Sequence, residues 1–161
     1  MLWWVPAIVW AGLIFVGSGD LLSAKHTSRI LVPLLRWLFP HISPQALEWA
    51  QFVSRKAGHV TEYGLLAVWV WIGWKYGTRM QFRSPVQRLF LSWLLCAGYA
   101  LSDEWHQSFV PSRHGSGWDV LLDATASLVV LVGLEGLDRL RRERAQKRRL
   151  AKEKAALPAS K

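Results

Sequence analysis

Four apolar runs dominate the chain, each too long for a strand and too poor in charge to lie open to water as an ordinary surface helix. The first, Met1 to Gly19, has no charged residue, and its polar end at Gly17-Ser18-Gly19 suits an interface. About twenty apolar residues cross a hydrocarbon layer ~30 Å thick, so this run reads as a first span. A cleaved secretory leader is the competing reading; the basic start and small-residue cleavage motif it needs are missing. Ala57 to Trp74 is the second run, Leu89 to Leu101 begins the third, and Trp118 to Leu134 is the fourth. The third reaches full length only by taking in Ser102-Asp103-Glu104-Trp105-His106-Gln107. The expected fold is all-α: a polytopic membrane protein with four transmembrane helices.

A mean hydropathy of +0.15 is modest for such a protein because charge is segregated along the chain. Residues 138–161 hold ten of the 20 Lys and Arg but three of the 11 Asp and Glu, so most of the net +9 belongs to this stretch. What precedes it is nearly neutral. The division predicts a membrane domain over 1–137 and a basic tail over 138–161, a solvated cytoplasmic helix drawn to anionic headgroups and not to nucleic acid. Of the 11 Trp, Trp3, Trp4, Trp74, Trp105 and Trp118 stand near the ends of apolar runs, where interfacial belts form. A single Cys96 excludes a disulfide framework within one chain.

The connections carry their own signals. Ser28 to Phe39 is apolar, with Arg29 and Arg36 two turns apart on one face, as in a helix lying on the membrane surface. Pro40 stops it, and Ser43-Pro44 pairs a capping hydroxyl with a proline suited to a first helical turn. One or two such surface helices are expected between the first two spans. The loop after the second span holds Lys75, Arg79, Arg83 and Arg88. With the basic tail it forms the cationic side, which the positive-inside rule assigns to the cytoplasm together with both termini, in a plasma-membrane protein. On the outer side that leaves the start of span two, the end of span three, the loop at Pro111 and the start of span four. His59, Glu62, Asp103, Glu104, His106, Gln107, Arg113, Asp119 and Asp123 then converge at one end. Ionisable side chains at membrane depth are costly and face a partner or a wet cavity.

These residues also fall into ordered motifs: Arg55-Lys56-x-x-His59-x-x-Glu62-Tyr63, then Ser102-Asp103-Glu104-x-x-Gln107-x-Phe109-x-Pro111-x-Arg113, then Trp118-Asp119-x-x-x-Asp123. Their order and spacing resemble the VanZ-like family of small integral membrane proteins, over roughly positions 8 to 134. The family's usual pair of serines after the first span corresponds to Gly17-Ser18 here, and Ser127 matches a small polar residue one turn past the second aspartate. The resemblance implies a cell-envelope protein whose founding member is associated with resistance to teicoplanin-type glycopeptides. It supplies no reaction.

Three readings of the cluster fit the sequence. It is structural if Arg113 pairs with Asp119 or Asp123, and Arg55 or Lys56 with Glu104, to set helix register; every carboxylate then has a partner and no cavity opens. It is catalytic if it acts on a lipid-linked envelope precursor at the outer leaflet. His59, Glu62, Asp103, Glu104 and Asp123 are then the acid-base candidates, while Arg55, Lys56, His106, Gln107, Arg113 and Asp119 bind substrate; phosphoryl or acyl transfer would fit. It is a binding site without chemistry if it holds a headgroup, a peptidoglycan fragment or an amphiphilic antibiotic. The cofactor considered is a divalent metal held by members of His59, Glu62, Glu104, His106 and Asp123, with no ligand set assigned.

Overall fold

The structure is a computed structural model that describes residues 2–19, 24–77, 82, 84–111 and 115–156. A short 3-10 turn, Leu2–Trp4, leads into α1 (Val5–Ser18), α2 (Ala24–Leu38), α3 (Pro44–Tyr76), α4 (Pro85–Gln107) and α5 (Gly117–Ala156). Two starts use one device. The Ser43 hydroxyl accepts from the Ala46 amide and the Ser84 hydroxyl from the Gln87 amide, both at 3.2 Å, with Pro44 and Pro85 filling the position where no amide is needed.

Two elements run further than the sequence suggested. The helix that starts at Ser43-Pro44 is not a separate surface element, because α3 continues unbroken for 33 residues to Tyr76. Its internal breakers are only the glycines at 58, 64 and 73, which helices tolerate at about 1 kcal/mol each. The surface helix distinct from the second apolar run is therefore α2, whose Ile30, Leu34, Trp37 and Leu38 form an exposed apolar stripe. Likewise α5 passes through position 138 without a break and carries the basic stretch on the same rod.

Helices α3, α4 and α5 pack against one another, α1 lies against α3 and α4, and α2 touches only α3 among the described elements. The apolar core comes from Tyr63, Leu66, Ala67 and Val70 of α3, at i, i+3, i+4 and i+7, with Cys96 and Ala100 of α4, Leu131 of α5, and Ala7 and Ile14 of α1. Gly73 leaves room for the Trp4 ring, which would lie 2.7 Å from an added Cβ. Trp10 donates to the Glu62 carbonyl at 2.8 Å and Tyr99 to the Ala11 carbonyl at 2.6 Å, pinning α1 to the bundle.

Much of the burial pattern is inverted relative to a water-soluble bundle. The inner seam of α4 holds Arg88, Ser92, Cys96, Ala100, Asp103, Glu104 and Gln107, and that of α5 holds Asp119, Asp123, Ser127, Leu131 and Asp138. Outward go Val86, Phe90, Leu94, Leu95, Leu101 and Trp105 from α4, with Trp118, Leu121, Val129, Val132 and Leu137 from α5. Water would expel such a surface; hydrocarbon favours it. By length and composition α5 can cross a membrane, the one such helix among the described residues, while Leu2–Ser18 is apolar but shorter.

At the end of the bundle where α3 finishes and α4 begins, a buried ionic layer fixes register. Arg88 donates through Nε and Nη2 to the two oxygens of Glu135, both at 2.7 Å, and Trp71 adds its indole N–H at 2.9 Å. Asp138 takes Lys75 on one oxygen and Arg88 and Arg142 on the other. Lys75 and Arg88 also lie over the Trp71 ring, 4.4 and 5.2 Å from its centre. Burial alone would push the Asp138 carboxyl up, but Lys75, Arg142 and Arg88 together hold it below the usual carboxylate value.

Candidate functional site

A second polar layer lies at the opposite end, where the C-terminus of α4 and the N-terminus of α5 meet the middle of α3. His59, Asp103, Glu104, Gln107, Asp119 and Asp123 are all buried there. The spacings that bring them together are helical. Lys56, His59 and Tyr63 lie along one side of α3, Asp103 and Gln107 are one turn apart on α4, and Asp119, Asp123 and Ser127 repeat every four residues on α5.

Each carboxylate is held by one oxygen. Asp103 Oδ2 accepts from the Ser18 hydroxyl at 2.9 Å and from the Gln107 amide at 3.0 Å. Glu104 Oε2 accepts from the Ser116 backbone amide at 2.7 Å. Gly115 permits that approach, since a Cβ there would come within 2.8 Å of the Glu104 carbonyl oxygen. Asp123 Oδ2 lies 3.1 Å from His59 Nδ1, and Asp119 pairs with Lys56. The opposite oxygens of three of them, Asp103 Oδ1, Glu104 Oε1 and Asp123 Oδ1, are buried with no hydrogen-bond partner, as is the Tyr63 hydroxyl. One atom each from His59, Glu104 and Asp123 lies within 4.8 Å of the others, close enough to hold a metal ion.

His59 also forms part of the wall of a cavity of about 450 Å³ between α2, α3 and the ends of α1 and α4. Ser18, Arg55, Glu62 and Gln107 line it beside Ser28, Leu31, Glu48, Gln51, Phe52 and Ser54. A 3.0 Å hydrogen bond from the Ser28 hydroxyl to Gln51 ties α2 across it.

Most of the residues singled out from the sequence meet here, with different pairings. Lys56 joins Asp119 and not Glu104, because position 56 faces the first turn of α5. Arg55, one residue before it, turns to an exposed position at the cavity. His106 stacks on Phe15, ring centres 4.3 Å apart, away from the carboxylates. Arg113 lies outside the described residues. Ser18, Tyr63, Ser28 of α2 and the residues opposite it on α3, Glu48 and Gln51, were not among the candidates. Glu48, Gln51, Arg55 and Glu62 continue one polar stripe backwards along α3, a signal hidden once a helix boundary was placed before Ala57.

The VanZ/LLP1 family model matches residues 3–135. The chain belongs to that family. All three motifs, the cavity and nearly all of the ionic layer at Arg88 lie within the matched region, which stops three residues short of Asp138. No curated protein and no solved structure matches the chain. Family membership and the apolar α5 together make this a membrane protein.

Proposed function

We propose that this VanZ/LLP1 protein is a cell-envelope enzyme that draws the polar head of a lipid-linked precursor, or a similar membrane amphiphile, into the cavity and acts on it with the buried carboxylate and imidazole groups. The observation that carries the reading is the set of bare oxygens on Asp103, Glu104 and Asp123. Each unsatisfied buried acceptor costs about 1–3 kcal/mol, a cost that a purely structural network has no reason to retain. In this reading His59, oriented by Asp123, takes a proton from the attacking water or hydroxyl, and Glu104, fixed by Ser116, gives one to the departing oxygen. Asp103 is set by Ser18 and Gln107, and Glu62 faces the substrate. Arg55 supplies positive charge at the cavity, while Lys56 and Asp119 hold α3 against α5. VanZ, which lends the family its name, is associated with teicoplanin resistance, and a changed envelope precursor would fit that association.

The membrane frame is part of the proposal. Four spans formed by α1, the second half of α3, α4 and the start of α5, with α2 at the interface, would put both termini and the basic helix beyond Leu137 in the cytoplasm and the cavity at the outer leaflet. The two polar layers support this frame. His59 to Lys75, Arg88 to Asp103 and Asp123 to Asp138 are 15 or 16 residues apart, or about 22–24 Å along each helix.

The test is a comparison of envelope lipid intermediates, by mass spectrometry, in membranes with the protein, without it, and with Glu104→Gln. A lipid intermediate that changes with the protein and reverts with the variant supports the reading; an unchanged profile overturns the chemistry. The mixed lining of the cavity, Leu31 and Phe52 beside polar side chains, supports a second reading as an amphiphile carrier, for which binding would persist without turnover.

A further inference from the structure

We infer that His59, Glu104 and Asp123 form a binding site for one divalent transition-metal ion. The three residues come from three different helices, yet one donor atom of each falls within 4.8 Å of the other two. Ligands about 2.0–2.2 Å from a shared ion lie roughly 3–4 Å from one another, so closing around an ion asks for side-chain shifts below an ångström. All three are buried, at 6%, 5% and 0% exposure.

Two observations point to a missing positive centre. Glu104 Oε1 and Asp123 Oδ1 are both buried and have no hydrogen-bond partner among the described residues. Charge points the same way. Among the described residues, Asp103, Glu104, Asp119 and Asp123 face Lys56 and the imidazole of His59, so carboxylates outnumber fixed cations in a space that burial makes costly for an uncompensated charge. A divalent ion would remove the excess.

The donor set narrows the ion. One imidazole nitrogen with two carboxylate oxygens suits Mn²⁺, Fe²⁺ or Zn²⁺, whereas Ca²⁺ takes six to eight oxygens and Mg²⁺ holds mainly carboxylate, phosphate and water. An outer partner of the kind that orients metal ligands is in place on Glu104, the Ser116 amide. His59 carries the site to the cavity wall, so an ion there would present its open positions to whatever the cavity holds. The inference concerns the same site as the proposed function but needs neither its substrate nor its reaction, and with an ion bound His59, Glu104 and Asp123 serve as ligands in place of the acid-base roles given above.

The experiment uses the full chain purified in detergent, stripped with a chelator, and titrated with Mn²⁺ without added amphiphile. Electron paramagnetic resonance should show one bound ion per chain, with nitrogen hyperfine coupling from a histidine, displaced by stoichiometric Zn²⁺. Asp123→Asn should weaken binding at least tenfold, and His59→Gln should remove the nitrogen coupling. His41→Gln, which removes an exposed histidine, should change neither. Absence of a stoichiometric ion in the wild-type protein, absence of nitrogen coupling, or coupling that survives in folded His59→Gln protein overturns the site. Should either substitution prevent folding, the wild-type titration decides. Because lipid turnover is not part of the readout, failure here leaves the proposed substrate untouched, and failure of the lipid assay leaves the ion untouched.

Discussion

The buried polar layers at the two ends of this bundle are built to opposite rules. Around Arg88, both oxygens of Glu135 and both of Asp138 are engaged, and three cations meet two carboxylates. Around His59, acids outnumber cations and three carboxylates each keep a bare oxygen. The same three helices supply both, so the contrast does not come from fold or depth. A finished ionic network holds helices in register; the unfinished one is where the proposed function and the proposed ion site rest.

The contrast breaks first, and most heavily, at Arg88. Arg88→Ala leaves Glu135 and Asp138 buried without their shared guanidinium, which should cost about 3–5 kcal/mol of stability, read as a fall in unfolding temperature in detergent by circular dichroism. The same layer should weaken in acid. Asp138 is held below its ordinary value, so its contribution is complete above the unfolded carboxylate value of about 3.9 and is lost as pH falls through the lower folded one.

At the other layer the expected pattern is inverted. Asp123→Asn keeps the shape and removes a negative charge from a place with too many, so stability should stay within about 1 kcal/mol of wild type. Turnover of the envelope lipid should nevertheless fall at least about 100-fold, the low end for loss of a group that orients a general base. A collapse as deep as that of Arg88→Ala would show the two layers to be alike. The smallest effect belongs to neither. Arg139 and Glu143 form an exposed pair at 2.9 Å, and Arg139→Ala should cost about 0.3–0.5 kcal/mol, which sets the scale of a surface ion pair in this protein.

Much of the His59 layer was legible because period and hydropathy act together. Apolar runs give helices, polar residues within them must turn inward, and alternating helix direction brings Asp103, Glu104, Asp119 and Asp123 to the same end as His59. Partners were less legible. Which of Arg55 and Lys56 faces α5 depends on a rotation of 100° about the α3 axis, and sequence spacing alone does not set that angle. The Arg88 layer was missed for a related reason. Arg88 read as a loop cation and Asp138 as the start of a solvated tail, whereas both lie inside helices that run past the apolar segments. The α2 wall of the cavity, with Glu48 and Gln51 opposite it, was missed because the polar stripe of α3 continues into a half that had been assigned to a separate surface element.

In the proposed membrane frame, the equal spacing of the two layers along α3, α4 and α5 has a consequence for what lies between helices and lipid. A separation of about 22–24 Å is shorter than the ~30 Å of an average hydrocarbon core, so both sets of charges would lie within hydrocarbon depth. The outward side chains of α4 and α5, from Val86 to Trp105 and from Trp118 to Leu137, would then serve as the apolar sleeve that keeps acyl chains off them.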